Sequence, residues 1–93
     1  MKIVYTPTFN KRILEIKHYL KTNYPHFLKY TQLQIEQKIE TIAKNNHTGR
    51  IGRVKGTREV VFAKLPYCIV YEINETKQEI VILNIIHTSI KYP

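Results

Sequence analysis

Between Gly49 and Glu59 the chain reads Gly-Arg-Ile-Gly-Arg-Val-Lys-Gly-Thr-Arg-Glu, which places all three glycines of the protein among Arg50, Arg53, Lys55 and Arg58. Glycine lets a backbone approach a bound group closely, and a guanidinium fork matches phosphate and carboxylate oxygens. Arg50, Arg53 and Lys55 are therefore the candidates for contacting an anionic target, although the same residues equally describe a solvated basic loop. A second group lies at the other end of the sequence. His87 changes charge near neutral pH and has Lys91 and Tyr92 as neighbours, residue types suited to acid–base chemistry, but it would serve as well to cap a strand or pack at a sheet edge. Arg58 and Glu59 open a strand, where they can pair with each other or with neighbouring strands, an exposed pair of this kind contributing less than ~1 kcal/mol. Cys68 has no His or Asp at an informative interval, so it reads as a small buried apolar residue and not a nucleophile. His18, His26 and His47 lack mutual ligand spacing, and neither metal nor cofactor is expected.

The elements that must position these residues follow from periodicity. Lys2 to Tyr5 is a short β-prone run stopped at Thr6-Pro7. From Thr8 to about Asn23, Phe9, Ile13, Ile16 and Leu20 recur at helical spacing with charged residues on the other faces. Asn23-Tyr24-Pro25 breaks that helix, and a second is predicted from about His26 to Lys44 with Leu28, Thr31, Ile35, Ile39 and Ile42 on one stripe. The short break makes an antiparallel helical hairpin. Thr57–Ala63, Tyr67–Ile73 and Glu79–Ile86 are rich in Val, Ile, Tyr and Phe and are separated by turn-like segments, which predicts a three-strand antiparallel meander. In the middle strand Tyr67, Ile69, Tyr71 and Ile73 share one face, and the two tyrosines there read as core. The expectation is a single α+β domain over residues 1–93, ordered β-α-α-β-β-β, with the hairpin on one face of a small antiparallel sheet. That arrangement should bring the basic turn and the tail of the chain to one cationic surface.

Bulk properties bound the partners. With 15 Lys and Arg against 7 Asp and Glu, the formal net charge is +8, while 43% of the residues are hydrophobic. The apolar share suffices for a core, so the charge belongs to a folded surface that attracts nucleic acid, ribosomes, anionic membrane or an acidic protein. One cysteine excludes an internal disulfide and suits a reducing cytoplasm, and no apolar run approaches the ~20 residues that span a bilayer. The stretch from Met1 to Asn10 has no apolar signal-type core, so neither export nor membrane insertion is expected.

Gly56-Thr57-Arg58-Glu59 opens a strand and is followed by Pro66-Tyr67, Val70-Tyr71, Ile85-Ile86-His87 and a terminal Tyr92-Pro93. In that order and spacing, over essentially its whole length, the chain resembles the ParE/RelE superfamily of bacterial toxins. The resemblance implies the toxin component of a type II toxin–antitoxin system, of the sort associated with plasmid stabilization and growth arrest. RelE-like members cut messenger RNA in the ribosomal A site, with lysines and arginines on the sheet and a terminal Tyr; ParE-like members poison DNA gyrase. Here the strand Arg58–Ala63 lacks inward lysines, and Cys68 stands about where a cation would be wanted. The ParE-like pattern normally has Arg near Ile90, where this chain offers Lys91 next door.

The first expectation is therefore ParE-like inhibition of DNA gyrase and replication, with Arg50, Arg53, Lys55, Arg58 and Lys91 on the target. The alternative is a ribosome-dependent mRNA endoribonuclease, whose catalytic set would draw on His87, Lys91, Tyr92 and Arg58. A further alternative is an inactive homologue serving only as antitoxin partner and co-repressor. In each case the expected partner is a cognate acidic antitoxin that wraps the helical hairpin or the sheet edge and forms a hetero-oligomer with the toxin.

Overall fold

In the computed structural model, which describes residues 1–89, a strand β1 (Lys2–Tyr5) leads directly into helix α1 (Pro7–Asn23). The junction is set by Thr6, whose hydroxyl oxygen accepts from the Phe9 amide at 3.1 Å, while Pro7 occupies the first helical turn, where no amide donor is needed. The Thr6 hydroxyl also donates to the Leu83 carbonyl at 2.7 Å, which ties the start of the helix to the sheet. Pro25 ends α1 as the sequence predicts, but Pro25–Phe27 form a 3₁₀ turn, so helix α2 runs Leu28–Lys44 and begins two residues later than expected. Phe9 and Leu20 of α1 and Thr31, Ile35 and Ile42 of α2 are buried, the stripes read from the periodicity.

Four further strands follow: β2 (Arg50–Ile51), β3 (Arg58–Val61), β4 (Tyr67–Asn74) and β5 (Glu79–His87). They make one five-stranded sheet in the order β1-β5-β4-β3-β2. The predicted meander is β3-β4-β5, antiparallel throughout. It is extended at both edges, by β2 antiparallel to β3 and by β1 parallel to β5, so the sheet as a whole is mixed. β3 is shorter than the predicted Thr57–Ala63 because Thr57 spends its backbone on the preceding turn: its amide donates to the Val54 carbonyl at 3.1 Å and its carbonyl accepts from Gly52 at 2.8 Å.

The sheet has two unlike faces. Against the helices pack Ile69, Tyr71, Ile80, Ile82 and Ile85, together with Phe9, Ile35 and Ile42. Each such side chain contributes about 1.5–3 kcal/mol by leaving water. A bulge keeps this face apolar: Val70 pairs with Asn84 and Tyr71 with Ile82, leaving Leu83 without a partner and moving the inward positions of β5 from Ile80 and Ile82 to Ile85 and His87. On the other face Cys68, Val70 and Ile86 form a separate cluster with no helical member.

Candidate functional site

The basic turn is not a loose loop; it is bolted to both faces of the sheet. On the helix side the Tyr71 hydroxyl donates to the Asn46 carbonyl at 2.8 Å and accepts from the Gly49 amide at 3.0 Å, and Arg58 donates to the Gly49 carbonyl at 2.8 Å. Gly49 is required by this approach, since a Cβ there would lie 2.9 Å from the Tyr71 ring and 3.0 Å from the Glu59 carbonyl. Gly56 closes the turn at φ +84, a region other residues enter with strain.

On the outer face the anchor is Glu59, whose side chain is fully buried. Its carboxylate accepts from the Arg53 amide at 2.9 Å, from Arg53 Nε at 3.2 Å to each oxygen, and from Arg50 Nη2 at 3.2 Å. Burial pushes this carboxyl up, but the Arg53 amide and guanidinium and then the Arg50 guanidinium outweigh it and hold Glu59 below its ordinary value. Of the two pairings open to Arg58 and Glu59, the one with each other does not form, because neighbours on a strand point to opposite faces, and the one across strands does. Glu59 pairs with Arg50 on the adjacent strand β2, while Arg58 serves the α2–β2 corner. Arg50 and Arg53 keep side-chain exposures of 61% and 42%, so cationic surface remains in water, and Lys55 is exposed in the same turn. Cys68 is buried beside Glu59, and burial followed by that carboxylate raises its thiol, consistent with the reading that it is not a nucleophile.

His87 stands elsewhere. Its Nδ1 accepts from the Ser89 amide at 3.2 Å and lies 2.6 Å from the Ser89 hydroxyl, and its ring meets Tyr67 edge-on with centroids 5.7 Å apart. In the sheet Arg50 and His87 are separated by three strand spacings and three residues, on the order of 17 Å, and they face opposite sides. Two strand spacings and four residues separate the backbone positions of Arg58 and His87, about 16 Å. The expectation that turn and tail share one surface thus fails for His87, and the reason is register: Arg50 aligns with Glu59, Val70 and Asn84, while His87 aligns with Tyr67. Lys91 and Tyr92 lie outside the described residues. Among the described residues no three metal-ligating side chains gather closely enough to hold an ion, and no helix is long and apolar enough to cross a membrane.

Around His87 the structure holds a feature the sequence reading missed. Tyr19, Tyr24, Phe27 and Tyr30 from the helical corner meet Leu65 of the β3–β4 loop and Tyr67 and Ile85 of the sheet in an open groove of about 610 Å³, which Arg12, Glu15 and Lys64 also line. Phe27 is 58% exposed. A signal was present: these aromatics fall off both apolar stripes and crowd around Asn23-Tyr24-Pro25, where a large side chain gains little by turning inward.

The architecture is shared with known proteins. It is similar to a chain of the chromosomal ParDE toxin–antitoxin system from P. aeruginosa, with a TM-score of 0.78 at 21% identity over 94% of this chain and 95% of that one. It is also similar to a chain of the intact E. coli RelBE toxin–antitoxin complex, with a TM-score of 0.62 at 8% identity over 90% and 92% of the two chains. The class is therefore a RelE/ParE-like α+β fold. In sequence, the ParE toxin of type II toxin–antitoxin systems, parDE, matches residues 3–92. A Sinorhizobium fredii protein, Y4kP, whose name classes it as a candidate toxin, is 31% identical over 83 residues, 89% of this chain and 83% of that protein. The chain belongs to the ParE toxin family.

Proposed function

We propose that this toxin acts by binding, inhibiting DNA gyrase through the outer-face basic turn, and that an acidic antitoxin neutralises it by occupying the aromatic groove. The observation that carries the reading is the separation between Arg58, engaged with Gly49, and His87, engaged with Ser89. Phosphodiester cleavage needs an acid–base group and a charge-stabilising cation about 3 Å from the same reacting atoms. With about 16 Å between the two backbone positions and each side chain held in its own local hydrogen bond, Arg58 and His87 do not converge on one such point, whereas a binding toxin needs only an ordered cationic surface. Arg50, Arg53 and Lys55 provide such a surface. Lys91, expected on the target, remains part of the proposal. For the antitoxin, the groove offers apolar anchorage beside Lys64, with Arg12 at its rim paired to Glu15 at 3.6 Å, which fits an aliphatic segment with an acidic flank.

Induction of the toxin alone, with plasmid supercoiling and transcript integrity read in the same culture, tests the reading. Relaxed plasmid beside intact messages is expected. Cleaved messages with normal supercoiling would reject it in favour of the endoribonuclease.

A further inference from the structure

Glu59 is the only buried charged residue among the described residues, at 1% exposure. It faces Val70 across the β3–β4 pair, where an apolar residue would avoid the cost of dehydrating a carboxylate. Exchanging a buried ion pair for apolar side chains is often neutral or stabilising, so stability alone is a poor account of its presence. What the carboxylate does is hold two arginines at once, Arg50 from strand β2 and Arg53 from the turn, the latter by both backbone and side chain. Each arginine side chain carries rotamer freedom that a partner would otherwise have to remove on binding.

We infer that Glu59 is the positioning residue of the binding surface, an inward carboxylate that fixes Arg50 and Arg53 as a preformed cradle for an anionic face of the target. The inference rests on the basic turn being the target surface and deepens that reading by giving a negative residue a favourable part in binding a negative partner. Simple Coulomb reasoning has the opposite sign: with a formal net charge already +8, losing an acid should strengthen attraction to an anion.

That difference in sign makes the test. Purified DNA gyrase is titrated with the wild-type toxin, Glu59→Gln, the pair Arg50→Gln/Arg53→Gln, and the triple variant, with a thermal melt of each to confirm folding. Glu59→Gln should weaken inhibition by about tenfold or more, the equivalent of one lost charge-assisted contact. In the background lacking both arginines it should change nothing further. Unchanged or stronger inhibition by Glu59→Gln would overturn the inference, as would an equal loss in both backgrounds. Should Glu59→Gln fail to fold, Glu59→Asp keeps the charge with a shorter reach and is expected to show a smaller loss of the same sign; no loss would count against the idea. If the wild type leaves gyrase untouched, the gyrase reading falls. Positioning is then read from growth arrest on induction, which reports whichever target is struck. Arrest weakening from wild type through Glu59→Asp to Glu59→Gln, at equal soluble yield, supports the inference; equal arrest, or none by the wild type, defeats it.

Discussion

The basic turn and the aromatic groove divide the molecule between them, and they are built on contrasting principles. The turn is polar, ordered by a buried carboxylate, by Tyr71 and by the close approach of Gly49, so its geometry exists before any partner arrives. In the groove Tyr19, Tyr24, Phe27 and Tyr30 are open to water, with Tyr19 and Tyr24 in a tilted contact at 6.1 Å. Apolar surface of that kind gains energy only when something covers it. Under the proposed function, one small domain carries two unlike binding surfaces on opposite faces of its sheet, one ordered in advance and one that a partner must cover. The first mode favours geometric selectivity and a strong response to salt; the second favours tight burial of a complementary segment.

The contrast is sharpest in a pair of truncations. Glu59→Ala should lower unfolding free energy by about 2 kcal/mol, measured by urea denaturation, because the Arg53 amide and both guanidiniums lose their carboxylate acceptor while the part-exposed arginines can rehydrate. Phe27→Ala should leave stability within about 0.5 kcal/mol, as expected for an exposed side chain, yet weaken antitoxin binding by about 2 kcal/mol in a calorimetric titration. If Phe27→Ala instead unfolds the protein and Glu59→Ala does not, the assignment of ordered turn and waiting groove is reversed.

A smaller effect comes from pH. The folded Glu59 carboxyl lies below its unfolded value, so the stability it contributes is fully present above the unfolded carboxylate value of about 4.3 and is lost as pH falls through the folded one. Urea midpoints measured downward from neutrality should therefore fall more steeply in the wild type than in Glu59→Gln below about pH 4. Parallel curves would show that the carboxylate is not held by the arginines in solution.

Much of this architecture was legible from local patterns. The stripes Phe9-Ile13-Ile16-Leu20 and Thr31-Ile35-Ile42 announce two amphipathic helices, and the β-branched runs of β4 and β5 announce the meander. Pairing at the sheet edges was not legible. β1 joins β5 across nearly the whole chain, and nothing local to Lys2–Tyr5 names its partner. β2 has two residues, too few to show alternation, inside a glycine-rich stretch that reads as a loop. For the candidate site, composition and glycine spacing pointed to the turn in which Arg50, Arg53 and Lys55 lie exposed. The role of Glu59 was hidden because burial of an acid depends on tertiary placement of the two arginines around it. The grouping of His87 with the turn failed for a related reason: strand register, not distance along the chain, decides which residues share a face.

The most direct test of the two-surface account is one supercoiling assay with purified gyrase, run with and without the antitoxin, on two variants. Arg50→Ala/Arg53→Ala should lose inhibition while still binding antitoxin, and Phe27→Ala should inhibit as the wild type does but resist relief by antitoxin. A result in which both variants lose both properties, or in which the groove variant alone abolishes inhibition, would contradict it.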